Sequence, residues 1–331
     1  MSRKRIGLVG YFGFGNYGDE LFVSVYEKFF HDCELVRMHD SINAPFYVEN
    51  LAEKIDTLDA IIIGGGDLII PNAFPTLYYD ERFLKKPVFY HGVGVPMWLG
   101  ENQSIIDRIK PFYAHPSVRK INVRDLESKA WVDKRFATPV EVDHSVDMVF
   151  SLDLPAPVKT KGQKVFGLIL RKFEATPERW HNVKALCDRA REQGYAIKNI
   201  VLATGRTRED DLASLSSFDY PDAEIVSPDD LWELTRIIGS CDVIASMKFH
   251  GIVVAFAYGV PAISLSTTDK FVNLCRRIER MDLSAHVDHP DLAERLPRYP
   301  AIVPSTTRAV LKAEASAAMT RLRHAVLGEF D

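Results

Sequence analysis

"RIGLVGYFGFGNYGDE", residues 5 to 20, passes from an apolar run through a glycine-rich turn into a segment that opens on two acids. Strand, glycine turn and helix form the unit from which doubly wound parallel sheets are built. Gly13-Phe14-Gly15-Asn16-Tyr17-Gly18 is also a literal G-x-G-x-x-G. Asp40 follows the second apolar stretch, near where a dinucleotide fold keeps its ribose-binding acid. Asp19 and Glu20 oppose that reading. A pyrophosphate rests on free N–H groups at such a helix start, and two carboxylates there would repel it. They complement the helix dipole instead, so the loop is expected to hold something neutral. Tyr11, Phe12, Phe14, Tyr17 and Asn16 surround them, a composition suited to a sugar. Rings cover the apolar face of a pyranose, and carboxylates accept its hydroxyl protons. The alternative is a tight turn with a charged helix cap.

The same alternation runs along the chain. Apolar runs at 5–11, 33–38, 59–64, 87–91, 120–124 and 140–143 predict strands, separated by helix-period segments. The pattern resumes at 164–170, 197–203, 224–226, 242–246 and 261–265. Ala60-Ile61-Ile62-Ile63 and Val243-Ile244-Ala245 are apolar on both faces, as central parallel strands require. Between the two series, "SLDLPAPVKTKGQK" at 151–164 has no apolar period and reads as a linker. The expected architecture is α/β: two doubly wound Rossmann-like domains, 1–155 and 156–331, facing a central cleft at their strand carboxyl ends. A last helix, with Leu311, Ala315, Met319, Leu322 and Val326 on one face, is assigned to the second domain.

Composition excludes several classes. The 331 residues are 47% hydrophobic and 26% charged, with a formal net charge of −4. Nothing in that balance points to nucleic acid as a partner. Four scattered cysteines without a C-x-x-C read as reduced, buried thiols. The basic start lacks a long apolar run behind it, so no signal peptide is expected. No apolar stretch approaches the roughly 20 residues of a membrane span. The expected location is cytoplasmic, with at most a peripheral membrane contact.

Two further glycine clusters end apolar strands. Gly64-Gly65-Gly66-Asp67 lets the backbone turn sharply and a ligand come close, with Asp67 as hydroxyl acceptor or general base. The alternative is a bare turn capped by Asp67. His91-Gly92-Val93-Gly94 repeats the device after the next strand. Tyr11, Phe14, Asn16, Asp19, Glu20, Gly65, Gly66 and His91 are thus the candidate acceptor-site residues.

In "DVIASMKFHGIVVAFAYGVPAISLSTTDKF", 242–271, a strand ends at Ser246 and a helix begins near His250-Gly251. Lys248 and His250 sit at that junction, beside free helix N–H groups, a natural place for a phosphate. His250 is either a general acid or a helix-start residue bonded to a carbonyl, and spacing does not separate the two. Arg171, after Gly167-Leu168-Ile169-Leu170, would be a second anion clamp or a solvated strand-end arginine. Gly251 and Lys270 complete the candidate donor site.

"GYFGFGNYGDE", "IIIGGGDLI", "HGVGVP", "VRDLES", "GLILR", "DDLWELTRIIGSCDVIASMKFHGIVVAFAYGVPAISLS" and "TDKF" occur here in the order seen in the polysaccharide pyruvyl transferase family, which the chain resembles from about residue 6 to about 275. The resemblance implies a glycosyltransferase-B-like fold and transfer of pyruvate from phosphoenolpyruvate onto a sugar as a ketal. His250 would be the catalytic histidine, with Arg171 and the basic residue two before it holding the donor's anions. The family usually has arginine and then leucine where this chain has Lys248 and Phe249. Lysine grips phosphate as a point charge and not as a bidentate fork.

That chemistry needs a general acid (His250), cations on phosphate and carboxylate (Lys248, Arg171, Lys270) and a carboxylate for hydroxyl protons (Asp67 or Asp19). It demands no metal and no cofactor beyond phosphoenolpyruvate as co-substrate. The partner is a sugar acceptor, free or lipid-linked. Rival readings are a nucleotide-sugar glycosyltransferase, an NAD dehydrogenase disfavoured by Asp19-Glu20, and a non-catalytic sugar- or anion-binding relative.

Overall fold

β-Branched runs without polar interruption make the central strands. Ala60, Ile61, Ile62 and Ile63 are 0–2% exposed, and burying each such isoleucine is worth about 1.5–3 kcal/mol. A computed structural model describes residues 3–48, 50–171, 176–215, 218, 220–298 and 302–328. The chain divides into two compact units. The first holds the chain up to Gly13, Asp19–Leu152 and the chain from Ala313 on; the second holds Phe14–Gly18 and Asp153–Lys312.

The first unit contains β1 (Arg5–Val9), β2 (Glu34–Arg37), β3 (Ala60–Gly66), β4 (Val88–Val93), β5 (Val118–Val123) and β6 (Val142–His144), with helices α1 (Tyr17–Phe29), α2 (Leu51–Asp56), α3 (Gln103–Ala114) and α4 (Leu126–Arg135). Its sheet is parallel throughout, in the order β2-β1-β3-β4-β5-β6. β6 starts two residues later than the sequence predicts. Pro139 has no N–H for a ladder, and pairing to β5 begins only at Val142. α3 and α4 start on side-chain caps: Asn102 Oδ1 accepts from Ser104 N (3.1 Å) and Asp125 Oδ1 from Ser128 N (2.7 Å).

The second unit contains β7 (Lys164–Ile169), β8 (Tyr195–Ile200), β9 (Glu224–Val226), β10 (Val243–Ser246) and β11 (Ala262–Ser264), with α5 (Pro177–Glu192), α6 (Gly205–Leu215), α7 (Leu231–Ser240), α8 (Phe249–Tyr258) and α9 (Asp269–Arg277). This sheet too is parallel, ordered β11-β10-β7-β8-β9. Both are Rossmann-like. Residues 152–163 carry neither helix nor strand. Among the described residues no helix is long and apolar enough to cross a membrane.

The last helix, α10 (Ser305–Gly328), buries its predicted stripe: Leu311, Ala315, Met319, Leu322 and Val326 are 0–2% exposed. From Ala313 on it belongs to the first unit, not the second as its position in the sequence suggests. Polar ties account for this. Glu314 accepts from Val146 N (3.0 Å), Arg321 pairs with Asp143 (3.0 Å) and Arg323 with Asp32 (2.7 Å).

Candidate active site

In each sheet, neighbouring strands whose connections leave in opposite directions open a crevice at their carboxyl ends, where ligands of such folds bind. In the second unit those strands are β7 and β10, paired through Ile169 and Ser246. Arg171 lies just beyond β7, exposed. Beyond β10, Ser246 shapes the turn into α8: its hydroxyl accepts from Lys248 N (3.0 Å) and donates to the Lys248 carbonyl (2.8 Å). Lys248 is extended at the helix N-cap, and His250 falls in the first turn of α8. The His250 ring meets Phe249 edge-on (centroids 5.3 Å apart), and Lys270 Nζ stands 5.7 Å from the Phe249 ring centroid. Phe249 thus bridges His250 and Lys270. The sequence-predicted donor residues are gathered at one crevice.

Two of them do other work there. Lys248 Nζ donates to the Leu202 carbonyl (2.9 Å) and pairs with Asp211 of α6. Burial pulls the Lys248 ammonium below the usual lysine pKa, Asp211 pulls it back up, and Arg171 pushes it down. Lys248 therefore grips a carboxylate and a carbonyl, where the sequence reading gave it an anion to hold. Gly251 is buried, and its amide already bonds the Lys248 carbonyl (3.1 Å). A Cβ there would lie 2.6 Å from Ser246 Oγ and 2.8 Å from Ile169 Cδ1. Gly251 is a packing glycine rather than a donor contact.

The opening glycine loop is built differently from the sequence expectation. Phe12, Phe14 and Tyr17 are 1%, 8% and 1% exposed, so they are core rings and not a sugar platform. Tyr11 alone of the four loop aromatics is exposed. The segment Phe14–Gly18 packs within the second unit. Gly15 offers its carbonyl to Thr204 N (2.9 Å) at a φ of 82° that suits only glycine. Asn16 pairs antiparallel with Ala203, and the Thr207 hydroxyl donates to the Phe14 carbonyl (2.5 Å). Asn16 thus belongs with the His250 crevice, its Oδ1 accepting from Gly18 N (3.2 Å), and not with the acceptor residues.

In the first unit the corresponding strands are β1 and β3. Gly65 and Gly66 have φ of 79° and 90°, and Gly66 leaves its Cβ position 3.4 Å from Asp19 Oδ1. Tyr78 joins the group: burial raises its pKa above the usual tyrosine value, and Asp19, Tyr11 and Asp67 add to the rise. Asp67 pairs with Arg124, the first residue after β5. Burial works against the Arg124 charge, yet Asp67, Asp125 and Asp147 hold its pKa above the usual arginine value. Glu20 is used locally, its carboxylate accepting from Gly13 N (2.8 Å). An amide that a pyrophosphate would require is thus taken by the chain itself.

His91 does not line this group. It is 0% exposed on β4, and neither ring nitrogen has a hydrogen-bond partner among the described residues. Burial drives its pKa down to about 3 from 6.5. Between those values the unfolded chain binds a proton that the folded chain refuses, so stability falls with falling pH by about 1.4 kcal/mol per unit. Replacing it by His91→Gln should remove about 2–3 kcal/mol of the stability lost from pH 6 to about pH 4. Urea unfolding at the two pH values measures this, and equal losses in both proteins would contradict it.

Arg124, Tyr78 and Asp211 escaped the sequence reading. Arg124 lies inside the quoted "VRDLES", where the preceding apolar run marks a strand end. Asp211 carries no signal beyond an ordinary helical acid.

A family model for polysaccharide pyruvyl transferase matches residues 16–269. No curated protein matches the sequence significantly. Among solved structures, a putative UDP-N-acetylglucosamine 2-epimerase from Listeria monocytogenes is similar at TM-score 0.58 and 10% identity, over 100% of this chain and 97% of that one. UDP-GlcNAc 2-epimerase from Neisseria meningitidis, solved bound to UDP-GlcNAc, is similar at 0.57 and 11%, over 96% and 99%. The calicheamicin glycosyltransferase CalG4 is similar at 0.50 and 11%, over 99% and 98%. These likenesses establish a fold shared with glycosyltransferases and sugar-nucleotide epimerases. The matched span runs over well more than half of the chain and contains Arg171, Lys248 and His250, and the protein belongs to the polysaccharide pyruvyl transferase family.

Proposed function

We propose that the protein transfers pyruvate from phosphoenolpyruvate to two hydroxyls of a sugar, in a glycan or its precursor, forming a cyclic ketal and releasing phosphate. The observation that carries the reading is the gathering of His250, Arg171 and Lys270 at the β7/β10 crevice, at the start of α8. Arg171 and Lys270 would hold the phosphate and carboxylate, with the first N–H groups of α8 adding positive potential. His250 would act as general acid, delivering a proton to the methylene carbon or to the departing phosphate. Protonation of the methylene carbon leaves an oxocarbenium-like centre at the carbon bearing the phosphate. One sugar hydroxyl attacks it and loses its proton. Loss of phosphate regenerates the centre, and a neighbouring hydroxyl closes the ring. In the first unit, Asp67 steadied by Arg124, or Asp19, would take the hydroxyl protons while Tyr11 meets the sugar.

A second reading, a nucleotide-sugar transferase, draws on the likeness to an epimerase solved with UDP-GlcNAc. Melting curves separate the two, since a ligand at a hundred times its Kd adds about 2.7 kcal/mol of stability. Phosphoenolpyruvate should raise the melting temperature, and UDP-sugars and NAD should not. The reverse result would favour the second reading. For the acceptor side, Asp19→Asn should raise the acceptor KM about tenfold or more, the scale of one charge-assisted hydrogen bond. Its KM for phosphoenolpyruvate should stay unchanged. A rise in the phosphoenolpyruvate KM alone would move Asp19 to the donor.

A further inference from the structure

We propose that the glycine loop Phe14–Gly18 is a positioning element for His250, and that Gly18 is the residue whose missing side chain gives the imidazole its place. A Cβ built on Gly18 would fall on the His250 ring itself, against Nδ1, Cγ and Cε1. The ring is also fixed by Phe249, which it meets edge-on at 76° between planes.

The loop has little freedom to retreat. Its backbone is held by the Gly15 carbonyl on Thr204 N and by the pairing of Asn16 with Ala203. On its far side Tyr17, 1% exposed, places its hydroxyl 2.6 Å from Thr235 Oγ1. The Thr235 hydroxyl donates to the Leu231 carbonyl (2.8 Å), so the tyrosine O–H is the donor to Thr235. This anchors the loop to α7. With the backbone pinned at Gly15 and Asn16, and by the Tyr17 side chain next to Gly18, an added methyl presses on the imidazole.

Gly18 and Tyr17 are therefore positioning residues. Asn16 Oδ1, accepting from Gly18 N, sets the backbone between them. The literal G-x-G-x-x-G thus has its third glycine for a histidine rather than for a dinucleotide. The effect on turnover rests on the reading of His250 as general acid. The contact does not.

The test is a cycle of Gly18→Ala, His250→Gly and the double variant, read by melting temperature, by NMR of the histidine side chains and by steady-state kinetics. Gly18→Ala should shift the His250 resonances and lower kcat by about a hundredfold, the scale of a misplacement near 1 Å. Its KM for phosphoenolpyruvate should change less than about threefold, because the donor cations are untouched. In the His250→Gly background the same alanine should cost no melting temperature, since the space is vacated. If Gly18→Ala does not fold, the double variant should. Additive melting losses, a double variant that also fails to fold, or unmoved His250 resonances would overturn the proposal. Shifted resonances and a non-additive cycle in a protein that leaves phosphoenolpyruvate intact would uphold the positioning and refute the pyruvyl transfer instead.

Discussion

Replacing His250 by alanine is expected to lower turnover by about 10²–10⁴-fold, the usual loss on removing one acid–base group. The crevice at β7 and β10 positions the ring by three independent features: the Ser246 turn, the first turn of α8, and the edge contact with Phe249. None depends on the imidazole for the fold. The variant should keep its melting temperature and its affinity for phosphoenolpyruvate, because Arg171, Lys270 and the α8 amides remain. The loss should therefore appear in kcat with little change in KM. Initial rates of phosphate release, measured beside a melting curve, check this. A folded His250→Ala variant with near-normal turnover would remove the histidine from the chemistry.

The second large effect concerns stability. Asp211→Ala should cost about 3–5 kcal/mol, the range for removing one partner of a buried ion pair. Lys248 and Asp211 side chains are 14% and 9% exposed, so solvent screens the pair little. Without the carboxylate, the ammonium keeps, among the described residues, the Leu202 carbonyl and faces Arg171. The loss comes from an uncompensated charge and not from a missing attraction. Two consequences follow from that cause. Adding Lys248→Met should recover most of the stability, as apolar replacement of buried pairs commonly does. Removing Asp211 also lowers the folded-state pKa of Lys248 further. Between that value and the ordinary lysine pKa the unfolded state then binds more protons, so the deficit should narrow as pH rises. Urea unfolding of the single and double variants, at neutral and alkaline pH, provides the comparison. A double variant as unstable as Asp211→Ala alone would show that the aspartate matters for packing, not for charge.

Local pattern carried much of this architecture. Unbroken runs such as Ala60-Ile61-Ile62-Ile63 mark central parallel strands, because a residue buried on either face has no reason to alternate. Glycines and a histidine after such runs mark strand carboxyl ends, and thereby the crevices. What periodicity does not specify is which distant surface each side chain meets. Phe14 and Tyr17 have the composition of a sugar platform, yet Tyr17 binds Thr235, 218 residues away. Lys248 has the position of an anion clamp, yet its partner Asp211 is 37 residues back, on another helix. His91 sits in a glycine cluster like Asp67, but the pleat turns it into the sheet and leaves it fully buried. In α10 the apolar stripe fixes a buried face, while the carboxylate and arginines that tie it to the first unit look like any solvated charges. Tyr17, Lys248 and α10 departed where a long-range pairing outweighed a local signature, and His91 where burial did.

The central claim is that pyruvate moves from phosphoenolpyruvate to a sugar at His250. Mass spectrometry after incubation with phosphoenolpyruvate and a panel of free sugars and lipid-linked precursors tests it most directly. The account predicts an acceptor heavier by one pyruvic acid less water, formed with one equivalent of phosphate and about 10²–10⁴-fold more slowly with His250→Ala. Unchanged acceptors with all phosphoenolpyruvate recovered, or the same product from His250→Ala at an undiminished rate, would contradict it.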